Sequence, residues 1–216
     1  SSGVDFGLKR SWALYWAATR PTCTTYCIHD EVTLLPTPAP TPAPVVPSGP
    51  WEGTPAVIPG TVQAEEYDLG GEGVGYSDTD AGNIGGAFRP DEAVDISTTG
   101  DGGFYVGWNN AGEYLRYTVD VDQALDPFAF SFEVAAPASS GQLQIVAGGT
   151  DCDNYDTDLS GVVTVPSTGG WDVFESLDIT GVGGLPVGEA TITLCIITSG
   201  FNIASFTMKA SSSNEL

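Results

Sequence analysis

The chain has 216 residues, and its 28 acidic side chains against 6 basic ones give a formal net charge of −22. So few cations cannot neutralise a run of phosphates or an anionic lipid surface, which excludes nucleic acid and membrane surfaces as partners. The single histidine, His29, removes most Ser-His-Asp and Cys-His catalysis and every multi-histidine metal site.

Residues 1–35 are too few for a domain and are read as an N-terminal tail or the remnant of an upstream domain. Within them Ser11–Trp16 is apolar and aromatic and calls for something to pack against, either such a domain or a docking partner. The chain starts with Ser and carries no basic-then-apolar leader, as expected of a processed product or a fragment. Cys23 and Cys27 can pair locally or elsewhere. Residues 36–57 form a linker, with prolines alternating through Pro36–Pro44 and recurring at 47, 50 and 55. Such prolines fix φ and remove backbone donors, giving an extended polyproline spacer. Thr37 and Thr41 are O-glycan acceptors if the chain is secreted.

Residues 1–50 balance Lys9, Arg10 and Arg20 against Asp5, Asp30 and Glu31, so the whole acidic excess lies beyond them. Over 58–210 the pattern is all-β. Tyr114–Val119, Phe128–Val134, Leu143–Val146, Val162–Val165 and Thr191–Ile197 are rich in β-branched and aromatic residues, and many alternate apolar with polar. Gly, Pro and Asp clusters separate them, no apolar run reaches the ~18 residues of a membrane span, and the expected fold is a β-sandwich. Residues 211–216 are a C-terminal tail. Cys152 and Cys195 lie on or beside strands; paired, they close a long loop, and two buried free thiols are the alternative. An even cysteine count with a Pro/Thr linker points to an oxidising compartment, hence a secreted or cell-surface protein.

Aromatic rings beside glycine-rich turns carry the chemistry. Trp108 sits just before a turn in Gly103–Leu115, Trp171 directly follows Gly169-Gly170, and Asn202 follows Gly200-Phe201. Core aromatics belong in the apolar alternation of strands, whereas rings in glycine-flanked loops can sandwich a sugar while an amide fixes its hydroxyls. Taken singly, each Trp is more often a structural plug; the combination is more specific than its parts.

Ile58–Asp68, Gly70–Thr79, Gly85–Arg89, Val106–Leu115, Val165–Trp171 and Gly200–Asn202 occur in order, and together they resemble the family 6 carbohydrate-binding modules. The resemblance covers about 58–209 and implies a β-jelly roll attached to secreted polysaccharide hydrolases. It implies that Trp108 and Trp171 are the paired stacking aromatics of a loop-end cleft, that Asn202 hydrogen-bonds the sugar, and that Glu72 and Phe88 are accessory cleft residues. It further implies a structural calcium ion, with Gln63 and Glu65 as its first-strand ligands on one face. The last strand departs from that pattern, presenting Lys209 where an Asp is expected, with Ala204 and Ser205 nearby, which puts occupancy in doubt. The acidic loop Asp151–Asp158 has ligand-like alternation but no full cation-loop motif, so it is read as a solvated turn.

The expected function is non-catalytic binding of a neutral polysaccharide (β-glucan, xylan or agarose-like), tethering an upstream catalytic domain or another assembly neighbour. Hydrolysis needs two placed carboxylates, and among so many acids no pair stands out. The rival reading is a structural component of an extracellular matrix, filament or surface assembly that reuses the fold, its aromatic N-terminal segment docked on a partner.

Overall fold

Phe128, Phe130 and Phe132 are spaced by two, and the strand period turns all three to one side, where each is fully buried. The same alternation recurs along the chain. The computed structural model describes residues 48–126 and 128–210. The tail at 1–35 with Cys23 and Cys27, the linker up to Pro47 and the 211–216 tail lie outside the described residues. The chain divides between Ala43 and Pro44 into two units, and every described residue belongs to the second.

The described residues form thirteen strands and no helix: β1 (Ala56–Ile58), β2 (Gly60–Gln63), β3 (Tyr76–Ser77), β4 (Ile96–Thr98), β5 (Phe104–Val106), β6 (Tyr114–Val121), β7 (Phe128–Ala135), β8 (Gln142–Ala147), β9 (Thr157–Asp158), β10 (Val163–Thr164), β11 (Glu175–Thr180), β12 (Gly188–Thr198) and β13 (Asn202–Ala210). One sheet runs β1-β6-β12-β8-β10, with β3 also on β6 and β9 on β8; the other runs β11-β7-β13-β5-β4, with β2 also on β13. All ladders are antiparallel except β1 on β6. The inner faces meet in one core, where Phe132 and Tyr117 flank Phe206 from opposite sheets. This is the β-sandwich the strand pattern predicts.

The sandwich begins earlier than residue 58. Gly49 bridges Leu69, Trp51 packs on Phe88, and β1 runs parallel to the edge of β6. Residues 48–57 therefore belong to the fold and not to the linker. Pro50 and Pro55 obscured this in the sequence; both stand outside strands, and an edge tolerates the missing donors.

Trp51 and Tyr67 enclose a buried cation. The Arg89 guanidinium lies 4.5 Å from the Trp51 ring centre and 3.6 Å from that of Tyr67. It donates to the carbonyls of Tyr67 and Asp68 and pairs with Glu92 at 2.8 Å. Tyr67 donates its hydroxyl to the same Glu92, and burial pushes that phenol well above its usual range. Removing Arg89 strands two carbonyls, unpairs Glu92 and empties the slot between the rings. Arg89→Met is expected to cost about 3 kcal/mol, below the cost of breaking a fully buried pair because Glu92 keeps some solvent contact. Urea unfolding of variant and wild type checks this, and a loss under ~1 kcal/mol would mean the clamp is not structural.

Cys152 and Cys195 are joined by a disulfide. Leu194 and Ile196 face the core, so Cys195 between them faces outward, and the bond ties the β8–β9 loop over the outer surface of its sheet. In that loop Asp151 accepts bonds from the Asp153 and Asn154 amides and holds its carboxyl below the usual range through them. The acids of 151–158 thus include a turn cap.

Candidate functional site

Trp108 and Trp171 come from two loops, and Asn202 opens the strand that follows a third; they meet at one end of the sandwich, lining a pocket of about 430 Å3 with Tyr105 and Asp172. Each is held by its neighbours. Trp108 takes a positive φ of 49°, a costly conformation for a large residue. It is imposed from both sides: the Gly107 amide donates to Asp95, and the buried Asn109 side chain donates to the Phe201 carbonyl. The Trp171 loop is anchored by Thr168, which exchanges bonds with Ala136 of the neighbouring strand end.

Asn202 opens β13 and is buried. A β-bulge between Ile203 and Ser205 shifts the register directly after it, a device that re-aims side chains. Its Nδ2 donates to the Trp171 carbonyl at 2.7 Å, so this amide joins two of the loops. Gly107 gives it room, since a Cβ there would lie 2.6 Å from Asn202 Oδ1.

The two tryptophans are buried only by half, at 47% and 49% exposure, whereas most other large aromatics among the described residues are buried. Tyr105 extends the apolar wall, its ring 6.3 Å from Trp108 at an interplanar angle of 16°. Flat exposed rings, an apolar wall and a fixed amide oxygen are what a pyranose needs: C–H faces to cover and hydroxyls to orient. Tyr105 and Asp172 escaped the sequence reading. Phe104-Tyr105-Val106 is continuously apolar and gives no alternation to single out the tyrosine, although its spacing of three from Trp108 was visible. Asp172 was one acid among 28.

Residues 86–210 match the family described as carbohydrate binding module (family 6). The chain belongs to that family. Solved structures share its fold. A family 6 module from Clostridium stercorarium in complex with cellobiose is 19% identical, with a TM-score of 0.55 over 74% of this chain and 99% of that one. A β-1,3-glucan binding module from Bacillus halodurans is 23% identical, at 0.52 over 73% and 100%. A module of Cellvibrio mixtus lichenase 5A in complex with cellotriose is 21% identical, at 0.50 over 70% and 97%. Comparison with curated proteins finds no match.

In this family 6 module, Glu72 and Phe88 stand apart from the tryptophan pocket. Glu72 is exposed, accepts the Asp78 amide at 3.0 Å and lines a separate acidic hollow. Phe88 is packed between Trp51 and Phe104, at 5.3 and 5.0 Å between ring centres. Order along the chain suggested cleft positions; chain direction after Gly70 and Gly85 carries both elsewhere.

The calcium expectation meets a donor set that does not fit. Gln63 and Glu65 do not share a face: β2 ends at Gln63, which is exposed, and a turn closed by Glu66 N–H to Gln63 C=O carries Glu65 into the interior. Lys209 is also not beside them. It pairs with Asp178 at 3.7 Å, four positions along β13 from Ser205, the residue opposite Gln63. Ala204, next to the residue opposite Gln63, offers no side-chain oxygen, and its carbonyl accepts the Ala64 amide. Glu65 Oε2 is buried without a partner, and burial pushes the carboxyl up to about 7. One carboxylate is far from the roughly six to eight oxygens calcium takes. EDTA followed by excess calcium is expected to shift the melting temperature by less than about 1 °C; a rise of several degrees would restore the ion.

A second group of acids carries a pH signature. Asp78 is pushed up to about 7 by burial first, with Glu113, Asp95 and Asp80 adding repulsion and the Asp80 amide opposing it. Asp95 is raised by burial as well. A folded-state value above the unfolded one means the native module binds more protons between about pH 4 and 7. Its stability therefore falls as pH rises through that window. Asp78→Asn is expected to gain about 1 kcal/mol over wild type at pH 8, the shift being discounted for solvent contact, and nothing at pH 4. Equal gains at both pH values would show that charge is not the cause.

Proposed function

We propose that this module binds a neutral polysaccharide, without catalysis, and tethers an associated domain or assembly to it outside the cell. The observation that carries the reading is the single pocket formed by two half-exposed tryptophans and a buried asparagine, with the amide fixed by the Trp171 backbone. Two rings can cover both faces of one pyranose unit, and the amide oxygen can take one hydroxyl. The pocket contains one carboxylate, Asp172, where glycoside hydrolysis uses two. Similar modules include one in complex with cellobiose and one that binds β-1,3-glucan, which supports testing β-glucans first. The Cys152–Cys195 bond agrees with an oxidising compartment.

Calorimetry of the full chain against β-1,3-glucan, xylan, agarose and cellulose tests this. Saturable binding of at least one is expected, and refusal of all four overturns the reading.

A further inference from the structure

The tryptophan pocket has a charge. Asp172 follows Trp171 directly, is exposed, and lines the pocket; it also lines an adjoining hollow that includes Asp101 and Glu133. Among the described residues its carboxylate has no hydrogen bond or ion pair, so it stands ready for a ligand. The described cations are all occupied elsewhere: Arg89 between Trp51 and Tyr67, Arg116 on the carbonyls of Val74 and Gly149, Lys209 beside Asp178. None lines either hollow. Asn202 commits one Nδ2 hydrogen to the Trp171 carbonyl, and its Oδ1 adds a second acceptor beside Asp172.

We propose that Asp172 is a specificity-determining residue that makes this pocket select glycans by charge, taking neutral and amino-sugar units and refusing uronate and sulfated ones. The inference rests on the carbohydrate reading above and deepens it. A hydroxyl or an ammonium can donate to the carboxylate, whereas a ligand carboxylate or sulfate meets a like charge with no cation near to offset it. At contact distance near a surface such repulsion amounts to roughly tenfold in affinity, and an ammonium partner, solvent-exposed, gains up to about fivefold.

The experiment measures the affinity of the full chain for cellohexaose, laminarihexaose, their C6-oxidised (uronate) forms and hexaglucosamine below the pKa of its amines. The wild type is expected to bind the neutral hexaose about tenfold more tightly than its oxidised form, and Asp172→Asn to reduce that ratio at least fivefold. Asp172→Ala should narrow it equally, since only charge is at issue. In 1 M salt, where the screening length is ~3 Å, the wild-type ratio should approach that of the variant. Hexaglucosamine should lose affinity in both variants relative to the neutral hexaose. Ratios that the variants and salt leave in place overturn the proposal while the carbohydrate reading stands. Refusal of both neutral hexaoses by the wild type also overturns it; the reading itself falls only if xylan and agarose are refused too.

Discussion

Alanine at Trp108 and Trp171 together is expected to weaken glycan binding by more than a hundredfold, and either change alone by roughly ten- to a hundredfold. Large rings at the centre of a binding surface dominate its energetics, and stacking on a flat aromatic contributes roughly 1–3 kcal/mol per ring. Both side chains are half-exposed and lie outside the core, so the loss should leave the fold intact. Trp108→Ala keeps the Cβ that a positive φ penalises, so the backbone strain at this position is unchanged. Calorimetry paired with thermal unfolding separates the effects. A double variant that melts like the wild type and still binds within about fivefold would show that the pocket is not the sugar site.

Loss of the Cys152–Cys195 bond is the largest stability effect expected. The bond closes a span of 43 residues, and the chain-entropy relation assigns about 4 kcal/mol to a loop of that length. In a domain of this size that corresponds to a fall of roughly 10 °C in melting temperature. The paired change Cys152→Ser with Cys195→Ser should therefore melt far below the wild type at neutral pH. Neither cysteine lines the tryptophan pocket, so glycan affinity measured well below the new melting point should change less than twofold. A melting temperature within about 2 °C of wild type would mean that strand pairing alone holds the β8–β9 loop in place.

The two effects fall on different parts of the molecule for a physical reason. The proposed binding rests on two half-exposed loop tryptophans and a buried asparagine at the start of β13, whereas stability is spread through a two-sheet core and a covalent tie on the outer face. Of the many acids, one, Asp172, lines the tryptophan pocket.

The fold class was written in local periodicity. Alternation through Phe128–Ala135 and Tyr114–Val121 marks half-buried strands whatever their partners are, and glycine clusters mark the turns. The three residues that meet in the pocket were legible for a related reason, since Trp108, Trp171 and Asn202 each stand within two residues of a glycine, outside or at the edge of the strand pattern. What the local pattern could not carry was where each turn leads. Glu72 and Phe88 hold the same place in chain order as cleft residues, yet one points into an acidic hollow and the other into an aromatic stack. Gln63 and Glu65 look like neighbours on one face until the chain turns between them. Tyr105 and Asp172 carry no local mark and gain their positions only when β5 and the Trp171 loop come together. Residue type and spacing alone determined that this acidic chain is a β-sandwich with aromatic loops. Long-range hydrogen bonds between loops and strand ends, from Asn202 to the Trp171 carbonyl and from Gly107 to the Asp95 carbonyl, decided which of those residues share a pocket.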